Sequence, residues 1–115
     1  MVESMTVKRL VVIGASSGGI ETLRTIVADL PDTFSAAICI ALHMSPESPG
    51  VVPEILGRVG RLPVSLARDG QRIQAGHIYI SPPNRHVLIE PGQLRVTKGP
   101  REHGFRPAID PLFRS

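Results

Sequence analysis

A serine between two glycines suggests the most specific chemistry in this sequence. Gly14, Ser16 and Gly18 form a Gly-x-Ser-x-Gly pattern between an apolar run and a helix-like segment, which is the context of a nucleophile elbow. Glycine permits the sharp turn because a Cβ would clash where backbone approaches backbone. The backbone N–H groups of Ser17, Gly18 and Gly19 would open the helix, where such groups can stabilise an oxyanion.

A histidine at the end of the next apolar run could supply the base that a serine hydroxyl needs. Adjacent parallel strands lie about 4.8 Å apart, and α/β folds place their sites beyond the carboxyl ends of the strands. We therefore expect Ser16 and His43 to meet. A triad also needs a carboxylate; Asp69, Asp110 and Glu47 are the candidates, and none is placed convincingly. Asp69 precedes a glycine and is typical of a turn.

The same turn could instead bind an anion, because glycine turns that lead into helix N-termini hold phosphates. The dinucleotide fingerprint is G-x-G-x-x-G with an acidic residue ending the next strand. Here Gly14, Ser16 and Gly19 stand in the glycine places, and the second strand ends in His43. A nucleotide-binding or anion-binding module remains the alternative.

The elements around this turn predict a parallel sheet. Residues 7–13 are rich in β-branched side chains and predict a first strand that ends at a glycine. Apolar residues recur at helical spacing over residues 18–30, and Pro31 follows. Residues 35–42 predict a second buried strand. A strand, a helix and a strand within about 35 residues form a βαβ unit with parallel strands.

The rest of the chain predicts a second helix over residues 49–60 and a short third strand over residues 62–67. Beyond these, short strands and turns prevail, including a hairpin across Pro91 and Gly92. Only three strands are expected in the parallel part, whereas a doubly wound sheet has about five or six. The sheet is therefore expected to be incomplete at its C-terminus.

Composition fits one domain of this class and argues against several others. The 115 residues include 42% hydrophobic but only 3% aromatic side chains, which favours an aliphatic α/β core. Lysine and arginine are scattered despite a net charge of +3, so nucleic-acid binding is disfavoured. The longest apolar run is too short to span a membrane, and Cys39 is alone. We expect a cytoplasmic protein without membrane insertion.

Four motifs in register resemble one known family. The segments VIGASSGG, LHMSP, AGHIYISPPNRHV and FRPAIDPLFRS are similar to the catalytic domain of the CheB family, the protein-glutamate methylesterases of bacterial chemotaxis. The resemblance covers essentially the whole chain. It implies a Rossmann-like doubly wound parallel α/β sheet with a β-hairpin insertion.

The resemblance also implies an activity and its residues. The family hydrolyses glutamyl methyl esters on methyl-accepting chemotaxis receptors, and some members deamidate glutamine. By motif match Ser16 would be the nucleophile and His43 the general base, with no metal or organic cofactor. His103 and Arg106 lie in a segment that approaches the active-site opening in the family, so they could face the substrate.

The departures from the family pattern carry their own expectations. The family's orienting Asp lies in a glycine-rich motif after the last matching segment, and neither that motif nor a receiver domain occurs in residues 1–115. We therefore expect a partial catalytic domain. Since loss of the orienting carboxylate costs about 10⁴-fold in kcat in a serine protease, this chain alone should be nearly inactive. It could also self-associate through an exposed sheet edge, or serve as a noncatalytic receptor-docking fragment.

Overall fold

The computed structural model describes residues 9–16, 19–43, 51–82 and 85–97. These residues form, in chain order, β1 Leu10–Ser16, α1 Ile20–Asp29, β2 Ala37–His43, α2 Val51–Val59, β3 Val64–Leu66, β4 Ile78–Ile80, β5 His86–Glu90 and β6 Gln93–Thr97. No helix among these elements is long and apolar enough to cross a membrane. The predicted strand–helix–strand unit is present as β1, α1 and β2.

The first four strands form one parallel sheet in the order β1-β2-β4-β3. Within the described ranges β2 and β4 are central, while β1 and β3 lie at the two edges. Strands β5 and β6 form a separate antiparallel pair. The α/β class with a mostly parallel, Rossmann-like sheet is confirmed, and so is the hairpin across Pro91 and Gly92. Gly92 turns the chain with a φ of 78°, a conformation that favours glycine.

Two elements differ from the sequence-based prediction. Strand β1 was expected to end at Gly14, but it continues to Ser16. The reason is that Gly14 stays in the ladder, opposite Ala41. Strand β4 joins the parallel sheet between β2 and β3, although only three parallel strands were expected. A crossover of this kind depends on long-range packing, which a three-residue apolar run does not encode.

Both helices pack on one face of the sheet, where the core is aliphatic. Leu23 and Val27 lie one helical turn apart on α1 and are buried, as the helical spacing requires. The buried residues on this helix face are Leu23, Val27, Ile38, Ile40, Leu42, Val52, Leu56, Leu62, Ile78 and Ile80. Helix α1 ends where Leu30 turns to extended backbone before Pro31, because the residue before a proline disfavours the α region.

The hairpin and the loop before β4 cover the opposite face. The buried residues of this hairpin face are Ala37, Cys39, Ala41, Ala67, Ile73, Tyr79, Val87 and Leu94. The backbone N–H of Gly70 donates to the carbonyl of Leu94 at 2.8 Å, and the N–H of Leu94 donates to the carbonyl of Gln71 at 2.8 Å. The loop therefore pairs with β6 and fastens the hairpin against the sheet.

Candidate active site

The ends of β1 and β2 bring the two candidate residues to matching positions. The parallel register runs from Leu10 opposite Ala37 to Ser16 opposite His43, which is the last pair at the carboxyl end. Neighbouring strands lie about 4.8 Å apart. The register places the backbones of these two residues side by side. Their catalytic roles stay a prediction, and the register supplies the backbone proximity that those roles need.

The start of α1 lies close behind the end of β1. Ser16 is the last residue of β1, and Gly19 is the cap residue before α1 begins at Ile20. Among the residues that the structure describes, no side chain caps the helix N-terminus, although its first N–H groups have no partner within the helix. Ser17 and Gly18, the predicted oxyanion-binding residues, lie outside the described residues, as do the substrate-facing candidates His103 and Arg106.

Strand β2 is the more firmly held of the two strands that carry the site. Its residues from Ala37 to Leu42 are all buried, with β1 on one side and β4 on the other. Strand β1 is an edge of the described sheet, and its Val11 is 40% exposed. The histidine candidate therefore ends a central strand, and the serine candidate ends an edge strand.

A second serine at the carboxyl end of the sheet was not identified from the sequence. Ser81 directly follows β4, is buried, and its hydroxyl oxygen accepts a hydrogen bond from the N–H of Leu42 at 3.2 Å. Its own N–H donates to the carbonyl of Ile40 at 2.8 Å. A signal was present, since Ser81 is a polar residue that ends a buried apolar run.

The carboxylate candidate Asp69 belongs to the hairpin contact. Its Oδ1 accepts hydrogen bonds from the Val96 N–H and the Arg95 Nε–H, each at 2.9 Å. The Val96 N–H and then the Arg95 guanidinium hold the pKa of Asp69 below its ordinary value. The interpretation of Asp69 as a turn residue therefore fits its contacts, which fasten β6 to the loop. Glu47 and Asp110 lie outside the described residues.

Three other titratable side chains in the described ranges are packed against neighbouring residues of the fold. Cys39 lies in the middle of β2, where burial raises its pKa to about 12 and so suppresses the reactive thiolate. His77 precedes β4 and stacks on Tyr79 with ring centres 5.0 Å apart, and burial lowers its pKa. His86 begins β5 and is buried.

A cavity lies beside the hairpin turn. It has a volume of about 360 Å³ and is lined by Gly70, Arg72, Pro91, Gly92 and Gln93. These residues belong to the hairpin turn and the neighbouring loop, and none of them is a site candidate. In the described ranges no group of three or more His, Cys, Asp or Glu side chains is placed to hold a metal ion.

Fold and strand register together define a class: an α/β domain in which the serine of a Gly-x-Ser-x-Gly sequence motif pairs with a histidine at the carboxyl ends of two parallel strands. The chain belongs to the CheB methylesterase family, whose family model matches residues 11–115. This membership confirms the resemblance seen in the sequence.

Similar proteins agree with this membership. A protein-glutamate methylesterase/protein-glutamine glutaminase from Yersinia pestis is 40% identical over 112 residues, which cover 94% of this chain and 32% of the relative. Another, from Syntrophus aciditrophicus, is 41% identical over 108 residues, covering 92% of this chain and 31% of the relative. The chain thus spans about a third of the length of the curated relatives it matches.

A solved structure supports the fold in the same way. The crystal structure of the Thermotoga maritima CheB methylesterase catalytic domain matches with a TM-score of 0.82 and 31% sequence identity. The match covers 90% of this chain and 57% of the solved chain.

Proposed function

We propose that this chain carries the nucleophile and the general base of a protein-glutamate methylesterase, which hydrolyses glutamate methyl esters on methyl-accepting chemotaxis receptors in the cytoplasm. The observation that carries the proposal is the pairing of Ser16 with His43 at the carboxyl end of two parallel strands. Family membership supports the reaction class. The names of the relatives also include glutaminase, so we extend the proposal to deamidation of receptor glutamines.

The mechanism follows from the two side chains. Ser16 attacks the ester carbonyl while His43 accepts its proton, which gives a tetrahedral intermediate with a negatively charged oxygen. The backbone N–H groups of Ser17 and Gly18 stabilise that oxygen. His43 then returns the proton to the departing methanol. Water attacks the acyl-enzyme in the same way, releasing the glutamate carboxylate and free Ser16. With a glutamine substrate, ammonia leaves in place of methanol.

The receptor is the proposed protein substrate, and the chain's charge suits it. The unesterified glutamates of a receptor are acidic, whereas this chain has a net charge of +3, which favours encounter, though only weakly. His103 and Arg106 are proposed to face the substrate, and Arg106 is one of the positive charges counted in this balance. The side chains proposed for the reaction need no metal or organic cofactor.

Covalent labelling of the full chain with a serine-directed fluorophosphonate tests the nucleophile directly. We expect label on Ser16, detected by mass spectrometry, and losses of about 10³-fold or more in labelling rate for Ser16→Ala and His43→Ala. Ser35→Ala is the matched control, because Ser35 is exposed and precedes the other end of β2. Labelling that persists in Ser16→Ala would contradict the proposal.

Two further measurements separate the alternatives. Titration with nucleotides should show no binding at micromolar concentration; micromolar binding that survives His43→Ala would favour an anion-binding module instead. Incubation with methylated receptor fragments should release methanol when the protein is present at high concentration over hours. Capture of the receptor without any methanol release would favour a docking role.

We also propose that two copies of the chain associate through β1. This strand is an edge of the described sheet, and Val11 and Ile26 are large apolar residues that are each 40% exposed. Unpaired strand edges and exposed apolar groups favour association. Sedimentation should show a concentration-dependent dimer in the wild type and less of it in Val11→Lys, whereas a monomer at high concentration would contradict the proposal.

A further inference from the structure

Ser81 makes two hydrogen bonds to the end of the strand that carries His43. It directly follows the last residue of β4, and only 5% of its surface is exposed. Its N–H donates to the carbonyl of Ile40 at 2.8 Å, and its hydroxyl oxygen accepts from the N–H of Leu42 at 3.2 Å. Leu42 is the residue immediately before His43.

The Ser81 hydroxyl accepts a hydrogen bond that a main-chain carbonyl would accept in a regular parallel ladder. In the β2–β4 ladder the N–H of Ile38 donates to the carbonyl of His77, which precedes its partner Ile78. If this pattern continued to Leu42, the N–H of Leu42 would donate to the main-chain carbonyl of Ser81. The ladder pairs end at Ile80, and the side-chain oxygen of Ser81 accepts the Leu42 N–H instead.

This contact is buried, so its loss cannot be neutral for the local backbone. Leu42 is fully buried in the helix-face core, and a buried N–H that loses its acceptor carries the full penalty of desolvation. Leu42 is also the last β2 residue before the candidate base. A shift that restores a partner to its N–H would therefore displace His43 relative to Ser16.

We propose that Ser81 is a positioning residue for His43. Its hydroxyl accepts the last hydrogen bond between β2 and the β4 chain and thereby fixes the position of the end of β2, which carries the His43 imidazole. The inference rests on the function proposed above, in which His43 is the general base. A misplacement of about 1 Å in a catalytic group can cost about 10²-fold in rate, so the effect should be measurable.

The experiment compares three variants of the full chain. Ser81→Ala removes the acceptor, and Ser81→Thr keeps a hydroxyl at the same position. Val52→Ala is the control for simple destabilisation, because Val52 belongs to α2 and is buried in the helix-face core. NMR would record the hydrogen exchange of the Leu42 amide and the titration of the His43 imidazole. The rate of fluorophosphonate labelling at Ser16 would be measured against pH.

The expected results distinguish positioning from stability. In Ser81→Ala, exchange at the Leu42 amide rises at least about tenfold, the His43 titration shifts, and labelling falls about 10-fold to 100-fold. Ser81→Thr restores all three, and Val52→Ala leaves the His43 titration as in the wild type. Unchanged exchange at Leu42 in Ser81→Ala, or a His43 titration no different from that of Val52→Ala, overturns the inference.

Failure of the inference differs from failure of the proposed function. If Ser16→Ala and His43→Ala abolish labelling while Ser81→Ala keeps the wild-type rate, the pH profile and the His43 titration, only the role of Ser81 is wrong. If the wild-type chain labels no faster than Ser16→Ala, the nucleophile assignment is wrong. The NMR measurements then still decide whether Ser81 positions His43.

Discussion

The two faces of the sheet are held in different ways. On the helix face, large aliphatic side chains from α1 and α2 pack on Ile38, Ile40 and Leu42 of β2. On the hairpin face, β2 contributes only small side chains, Ala37, Cys39 and Ala41, and hydrogen bonds from the loop and β6 supplement the packing. Substitutions that change side-chain volume should therefore lower the stability of the helix face. On the hairpin face, stability should also depend on hydrogen-bonding side chains and on pH.

The largest effect is expected from a cavity on the helix face. Leu56 of α2 is fully buried, so Leu56→Ala removes packing that the surrounding helices and strands can only partly recover. We expect a loss of about 2–5 kcal/mol in the free energy of unfolding, measured by urea denaturation. A loss below about 1 kcal/mol would mean that this face is loosely packed, contrary to the comparison.

A smaller loss should follow from adding volume where α2 ends. A Cβ on Gly60 would lie 2.6 Å from Val27 Cγ1 and 2.9 Å from the Val27 carbonyl oxygen, so Gly60→Ala should cost about 1–3 kcal/mol. Gly57→Ala is the matched control, because a Cβ there meets nothing within 4 Å. Inside α2 the control should stabilise by roughly 0.5–1 kcal/mol. Equal effects of the two variants would contradict the packing described here.

On the hairpin face, the hydroxyl of Tyr79 can be removed with little change in shape. It accepts a hydrogen bond from the Gln74 N–H at 2.9 Å and donates one to the Arg72 carbonyl at 3.2 Å. Tyr79→Phe should cost about 1 kcal/mol in the free energy of unfolding. It should also raise hydrogen exchange at the Gln74 amide more than at amides of α1. Uniform exchange across both faces would remove the distinction between them.

The smallest expected effect is the acid sensitivity of Asp69. Its pKa in the folded protein is lowered by the Val96 N–H and the Arg95 guanidinium. The ionised carboxylate therefore stabilises the fold above the unfolded-state pKa of about 3.9, and this contribution is lost as the pH falls from there through the folded-state pKa. Asp69→Asn should flatten the dependence of stability on pH in that acid range.

Stability curves of the wild type and Asp69→Asn, recorded from neutral pH into the acid range, check this prediction. The curves should converge at the acid end, because the protonated wild-type side chain has also lost its charge. Because Asp69 is exposed, the difference at neutral pH should be small. A difference that grows as the pH falls would have the wrong sign.

The sequence predicted the elements better than their arrangement. Helix α1 follows from the spacing of Leu23 and Val27, and the hairpin follows from the Pro91-Gly92 turn, because both signals are local. The position of β4 between β2 and β3 depends on long-range contacts. The apolar residues Ile78–Ile80 would have the same pattern in any short buried strand, so the sequence does not reveal their neighbours. The end of β1 was also missed, because Gly14 signals a turn in sequence although it pairs within the ladder.

The candidate site shows the same division. Ser16 and His43 were predicted from a motif and from the rule that parallel strands end together, and the register agrees with that rule. Ser81 was missed because its partner Leu42 is 39 residues away in the chain. The contact between Asp69 and β6 was missed for the same reason, with 27 residues between Asp69 and Val96.

A double-mutant cycle on methanol release tests the central claim, that Ser16 and His43 act as a unit. Because Ser16→Ala removes the labelled atom, the rate of methanol release from methylated receptor is compared in the wild type, Ser16→Ala, His43→Ala and the double variant. The account predicts that the double variant is no slower than the slower single variant, as for residues that act together. Losses that multiply in the double variant would show independent roles and contradict the account.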